Sequence, residues 1–234
     1  MRALRVFSSM VQSPADGMAL DEFLLTHTIQ NASQVATLRF YEFTKKCITI
    51  GLSQRNSEFL KMIDGMGFEW VRRPTGGGMV IHEADLIFSL IASLDAHPSF
   101  SQAKDSYRAI HEAIKKALLA LGTETSFNQG GCKVEALDPQ LMICFERPIC
   151  DDLMHGKRKL VGGAQRRSAG FFLHQGAIRL SEFKQTDKIR LQSLIIQAFS
   201  DSFNWSAVAT SFSESDLKIA CQLSKEKYSS LDWN

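Results

Sequence analysis

Net charge is scarce in this chain. Its 234 residues carry 27 lysines and arginines against 25 aspartates and glutamates, a balance of +2. So small an excess gives no field that would favour nucleic acid or an anionic membrane. Long apolar runs are missing too: no window approaches the length of a membrane span. The opening residues Met1–Phe7 lack the apolar core of a signal peptide, so the expected location is the cytoplasm. Cysteines are few and unpatterned. Cys47, Cys132, Cys144, Cys150 and Cys221 make an odd set with neither framework nor zinc-ligand spacing, and are expected to be reduced thiols with no metal site. Internal repeats and low-complexity segments are also absent. What the chain does have is apolar mass, 44% hydrophobic against 22% charged, enough to bury a sizeable core.

Periodicity sorts that mass into strands and helices. Leu4–Ser8 is expected as a first strand and Asp16–Thr28 as a helix with Asp16 as its cap, Asp21 and Glu22 lying beside its apolar face. Thr37–Phe43 and Cys47–Gly51 are expected to pair as a hairpin. Ser57–Met66 is a short helix. Glu69–Arg73, Met79–Ile81 and Leu86–Ser93 are strands. Ala103–Leu121 is the clearest helix, with Ile110, Ile114, Ala117 and Leu118 on its buried stripe and Gly122 at its end. Asn128–Pro139 is polar, glycine-bearing and expected to be a loop. His155-Gly156 turns one strand into the next, Phe171–Leu180 is another strand, and Asp187–Phe203 a helix. Glu214–Tyr228 closes the chain as a helix with Leu217, Ala220, Cys221 and Leu223 inward. The expected class is α+β: a mixed or antiparallel sheet with packed helices.

The stretch Arg72-Arg73-Pro74-Thr75-Gly76-Gly77-Gly78-Met79-Val80-Ile81-His82 interrupts this pattern. Three glycines among strand-formers weaken a strand and call for a reason. Close approach of backbone to a ligand, with positive φ, is one; freed N–H groups then form an anion-binding concavity, with Arg72 and Arg73 adding positive charge. A tight hairpin turn with exposed arginines is the other. Lys159, in Gly156-Lys157-Arg158-Lys159-Leu160-Val161-Gly162-Gly163-Ala164-Gln165, is the second anomaly. A lysine leading into Leu-Val-Gly-Gly-Ala is drawn inward, and a buried ammonium needs an anionic partner or a functional reason. A lysine snorkelling at a sheet edge is the alternative.

These two segments, with Asp85–Leu90 after the first, resemble the signature loop and lysine motif of the lipoate–protein ligase and octanoyltransferase family. Gly17–Glu22 and the corner Gly51–Gln54 are similar to further family segments. The resemblance covers about residues 4–205 and implies a single biotin/lipoate ligase-like catalytic domain over 1–234, with 206–234 a short helical tail. It implies an enzyme that attaches an octanoyl or lipoyl group to a lysine of a lipoyl carrier domain. By implication Lys159 contacts the acyl carbonyl or its adenylate phosphate. Arg72, Arg73, Gly76, Gly77, Gly78, His82, Gly162, Gly163 and Ala164 bind substrate. Cys144, in a Cys-Phe pair typical of one class of octanoyltransferase, holds the acyl group as a thioester. Cys150 and Cys132 compete for that role. A transferase of this kind requires no cofactor; an ATP-dependent ligase requires ATP and Mg2+. The implied partners are lipoyl domains of 2-oxoacid dehydrogenases or glycine cleavage H protein, with an acyl carrier protein or CoA thioester as donor. Two departures stand out: Gly163 replaces a common serine, and His174-Gln175-Gly176 reverses the usual Gln-His order, so His174 is given no proton-transfer role. An eight-carbon chain burying about seven carbons at ~0.8 kcal/mol each gains about 5 kcal/mol, so a narrow apolar tunnel walled by Val80, Leu86 and Phe88 is expected.

Overall fold

The computed structural model describes residues 2–130, 146, 148–181 and 185–234, the side chains of 185 and 186 excepted. In chain order the elements are β1 (Arg2–Gln12), α1 (Pro14–Gln30), β2 (Ala36–Phe43), β3 (Cys47–Ile50), α2 (Ser57–Gly65), β4 (Glu69–Arg72), β5 (Val80–His82), β6 (Asp85–Ser93), a 3-10 turn (Pro98–Phe100), α3 (Ala103–Ala120), β7 (Ser126–Phe127), β8 (Leu153–His155), β9 (Arg158–Ser168), β10 (Phe171–Arg179), α4 (Gln185–Phe203), β11 (Trp205–Thr210), α5 (Glu214–Leu223) and a π turn (Ser224–Tyr228). Eight strands form a mixed sheet in the order β11-β1-β2-β6-β10-β9-β8-β7, and β4-β3-β5 form a small second sheet. The class is α+β, as the alternation of short strands and amphipathic helices implies.

The central strands of the large sheet are buried on both faces: β6 is buried at every position, and all of its residues but Asp85, Ser89 and Ser93 are apolar. One face carries α3 and α4 over Leu38, Phe40, Phe88, Leu90 and Phe172. The other carries α1 over Tyr41, Ile87, Ile91 and Leu173. On β10, Gly176 leaves room for the Phe88 ring, which a Cβ there would overlap. A buried polar knot fixes α1 to the sheet: Asp21 takes hydrogen bonds from Arg39, Tyr41, Ser89 and Gln175. All four donors share one sheet face, since Arg39, Ser89 and Gln175 stand opposite one another across β2, β6 and β10. Asp21 is therefore fully buried, contrary to its expected position beside the apolar face.

Four further expectations are corrected. The N-cap of α1 is Ser13, whose hydroxyl accepts from the Asp16 amide, with Pro14 opening the helix. β2 and β3 do not form a hairpin: β2 pairs with β1 and β6, β3 with β4 and β5, so the chain changes sheets between them. The tail is not purely helical, because β11 adds a parallel strand beside β1. On α5 only Ala220 is buried; Leu217 and Cys221 face outward.

The end of the chain closes on β4. Buried Arg72 donates to the carbonyls of Gly51, Gln54, Trp233 and Asn234, and Trp233 returns a bond from its indole to the Arg72 carbonyl at 2.8 Å. Burial pulls this guanidinium down to about 10. Charged hydrogen bonds are each worth about 1.5–3 kcal/mol, and Arg72→Met strands several acceptors at once. We expect this variant to lose about 3 kcal/mol of stability in urea unfolding; a loss below about 1 kcal/mol would mean the clamp is not needed.

Candidate active site

The slot is built from sheet register. Tyr41 on β2 stands opposite Ile87 on β6, Ile87 opposite Ala177 on β10, and Ala177 opposite Gly162 on β9. Opposed residues point the same way, so these four make a floor that crosses the sheet. Met18 of α1 and Thr49, Val80 and His82 of the small sheet complete the walls of a narrow cavity of about 50 Å³. The expected tunnel walls are partly corrected. Val80 lines the cavity, but Leu86 and Phe88 lie on the opposite face of β6 in the core, and Ile87 takes their place. A period of two decides the matter.

The glycine loop lies against Gly51, where a Cβ would overlap the Gly77 carbonyl. Only Gly77 of the three glycines has positive φ, at +85°. Arg73 donates to the carbonyls of Gly76 (2.6 Å) and Gly78 (2.8 Å) and to that of Thr49. Trans peptide planes then turn the N–H groups of Gly77 and Met79 away from Arg73. Gly76 and Gly77 also border a wider cleft of about 500 Å³ that shares Gly163 and Ala164 with the slot. The two arginines thus divide. Arg73 lines the slot and braces the loop, whereas Arg72 is taken up by the chain end, and its side chain does not line the slot. His82 lines the slot between Thr49 and Asp85.

Lys159 is 6% exposed at the β9 end of the slot. Its ammonium lies 2.7 Å from Asp152, itself wholly buried. Asp152 also accepts from the Tyr107 hydroxyl at 2.6 Å and the Ile149 amide at 2.7 Å. Tyr107 in turn accepts from the Gly163 amide at 3.0 Å. The lysine bends over Gly162, where any Cβ would overlap its Cε and Nζ. So Gly162 is there for the lysine. Across Gly163 lie two buried imidazoles. His111 donates from Nδ1 to the Asp151 carbonyl at 2.7 Å, while His174 accepts at Nδ1 from the Gln165 amide at 3.2 Å.

Burial pushes His111 down to about 4 and His174 well below its ordinary value. Both stay neutral at pH 7, which keeps rival positive charge away from Lys159. An unfolded histidine binds its proton near pH 6.5, so the unfolded state gains protons first as pH falls. Stability from His111 is whole above pH 6.5 and is lost down to about pH 4. Between pH 6.5 and pH 5 the loss is about 2 kcal/mol at about 1.4 kcal/mol per unit. Urea unfolding at the two pH values should show at least this loss, because His174 adds to it in the same direction, and His111→Phe should lessen it by about that amount; an equal slope in the variant would refute the assignment.

Cys144, the expected acyl carrier, and Cys132 lie outside the described residues. Cys150 is disulfide-bonded, so the expectation of five reduced thiols is corrected; Cys47 and Cys221 are free. Burial, with Glu69 and Asp85 nearby, raises the Cys47 thiol, so it stays protonated and inert. Among the described residues no group of three or more metal-ligating side chains occurs, and no helix is long and apolar enough to cross a membrane. Sequence reasoning passed over Asp152, Tyr107 and Gln175. Asp152 carried a signal: it is a carboxylate seven residues before a lysine that needs one. Gln175 lines the slot and accepts from Thr75 of the glycine loop at 2.8 Å.

A buried lysine paired with Asp152 at one end of an apolar slot, with the glycine loop bordering the adjoining cleft, is an arrangement suited to a small ligand with an apolar tail and a polar head. The comparisons agree. Residues 13–196 match the model of the lipoyl protein ligase A/B catalytic domain. The octanoyltransferase LipM of Carboxydothermus hydrogenoformans is 30% identical, with 94% of each chain covered. Among solved structures, lipoate-protein ligase A bound with ATP superposes with a TM-score of 0.76 at 22% identity, over 100% of this chain and 98% of that one. The bipartite lipoate protein ligase of Thermoplasma acidophilum, described with its E2 lipoyl domain, gives 0.70 at 20% identity, over 100% and 96%. The chain belongs to the lipoyl protein ligase A/B catalytic-domain family and is an enzyme of protein lipoylation.

Proposed function

We propose that this enzyme transfers an octanoyl group from a thioester donor to a lysine of a lipoyl carrier domain, by way of a thioester on Cys144. The observation that carries the reading is the Lys159 ammonium, held by Asp152 at the end of a small, largely apolar slot. In the first step the Cys144 thiolate attacks the donor carbonyl. The new C–S bond forms as the donor thiolate leaves and takes up a proton. In the second, the neutral amine of the carrier lysine attacks the Cys144 thioester, the amide forms, and the amine proton returns to the departing sulfur. Negative charge gathers on the carbonyl oxygen in both steps, and a fixed ammonium in a site that excludes water stabilises it. Gly76, Gly77, Gly78, Gly162, Gly163 and Ala164 let the backbone close on the acyl head. No cofactor enters this scheme. The donor is an acyl carrier protein or CoA thioester, and the acceptor a lipoyl domain or H protein.

A second reading, an ATP-dependent lipoate–protein ligase, draws on the cleft of about 500 Å³ beside the slot. It has room for a nucleotide as well as for a carrier. Asp152 is a poor candidate to hold Mg2+ there, because its oxygens are already engaged by Lys159, Tyr107 and the Ile149 amide. The test is transfer itself. Enzyme, octanoyl-thioester donor and lipoyl domain are mixed without ATP, and the domain is weighed. Gain of one octanoyl group supports the transferase; modification only with lipoate, ATP and Mg2+ supports the ligase.

A further inference from the structure

Neighbouring side chains on α3 grip the segment that leads into β8. Tyr107 donates to the Asp152 carboxylate, Arg108 pairs with the Asp151 carboxylate, and His111 donates to the Asp151 carbonyl. Residues four apart on a helix lie one above the other, so Tyr107 and His111 reach the same segment. Thus α3 fixes the place of Asp152, the counter-charge of Lys159, from outside the sheet. The Tyr107 ring is itself held. It packs on His111 with centroids 4.1 Å apart and on His174 at 5.5 Å.

The Tyr107 hydroxyl stands at a junction. Tyr107 lines the cleft, and its oxygen accepts at 3.0 Å from the amide of Gly163, a residue that cleft and slot share. It gives its proton to Asp152 at 2.6 Å, the length of a bond to an ionised acceptor. Asp152 is wholly buried and divides one negative charge among Tyr107, the Ile149 amide and Lys159. Charge taken up by the phenol is charge that does not neutralise the ammonium. The positive field of Lys159 is thereby kept for an oxygen in the slot. The network also closes on itself. Tyr107 starts from Gly163 and Lys159 bends over Gly162, so both ends rest on adjacent residues of β9. Hydroxyl, carboxylate and ammonium are fixed relative to one another.

We propose that Tyr107 is a positioning residue for the reaction: through Asp152 it holds the Lys159 ammonium in place and preserves its positive charge for the acyl carbonyl. This rests on the acyl-transfer reading above. The hydroxyl acts on Lys159 and takes no part in bond making or breaking.

The experiment measures octanoyl transfer to a lipoyl domain by four enzymes: the wild type, Tyr107→Phe, Lys159→Ala/Asp152→Asn, and the triple variant that combines them. Phenylalanine keeps the ring packing, and water in the cleft can meet the Gly163 amide. Tyr107→Phe should lower kcat about tenfold, in keeping with one hydrogen bond to a charged group. KM for the octanoyl donor and the thermal unfolding midpoint should stay close to wild type. In the background that lacks both charges the same substitution should change the rate by less than about twofold, because the groups it acts through are gone. An equal loss in both backgrounds overturns the proposal. So does a Tyr107→Phe enzyme with wild-type or higher kcat, or one whose loss falls on KM. If the wild type transfers nothing without ATP, the acyl-transfer reading falls instead. The same four enzymes are then compared in ATP-dependent lipoylation, where the same pattern supports or overturns the role of Tyr107.

Discussion

Lys159→Ala is expected to lower octanoyl transfer by at least a hundredfold in kcat/KM. Removing one preorganised donor from a developing oxyanion costs about 3–4 kcal/mol, or about 10²–10³ in rate. The substitution has a second consequence. Asp152 is wholly buried and would lose its counter-charge, and breaking a buried pair from one side costs about 3–5 kcal/mol of stability. A dead single variant is therefore ambiguous. The paired Lys159→Ala/Asp152→Asn variant removes both charges and leaves an amide for Tyr107 and the Ile149 amide to meet. We expect it to unfold thermally close to wild type while remaining at least a hundredfold slower. A folded double variant with turnover within threefold of wild type would show that the pair serves the fold alone. Asp152→Asn by itself takes the counter-charge from the buried lysine, so it is expected to cost stability as Lys159→Ala does, with a smaller loss in kcat than in the pair.

Much of this site was legible from residue order, and the reasons differ by residue. Lys159 stood out because burial of an ammonium is costly, so a lysine running into Leu-Val-Gly-Gly-Ala had to be explained. The three glycines stood out because glycine weakens a strand. What the loop does with them was less visible. Both arginines were expected to offer charge to a ligand, but Arg73 spends its bonds on loop carbonyls and Arg72 on residues at the far end of the chain. A contact between positions 72 and 233 leaves no local trace. The same holds for Asp21: helix position alone put it near the surface, and only the sheet register, which aligns Arg39, Ser89 and Gln175, explains its burial. The misassigned hairpin of β2 and β3 has a similar origin. Two neighbouring strand patterns with a short link favour pairing, yet tertiary packing placed them in different sheets. Tunnel walls were missed by one residue, Ile87 for Phe88, because a strand buried on both faces offers no alternation to read.

Octanoylation of Cys144 is the other large effect expected, and it separates the two chemistries. A thiolate is the attacking form, and positive charge nearby favours it. In the proposed reaction that charge is the Lys159 ammonium at the slot. The enzyme is incubated with octanoyl-thioester donor, without ATP, in a reducing buffer because Cys150 is disulfide-bonded in the structure. Intact mass should show one octanoyl group per chain, and peptide mapping should place it on Cys144. Cys144→Ala should remove the adduct and lower transfer to a lipoyl domain by at least a hundredfold, since a two-step route through a thioester has no substitute nucleophile at that place. Cys150→Ala and Cys132→Ala should keep the adduct. A label on Cys150 or Cys132 would retain the mechanism and reassign the residue. If no adduct forms, and lipoylation needs ATP and survives Cys144→Ala, then the carbonyl is activated as an adenylate and Lys159 answers to a phosphate rather than to a thioester.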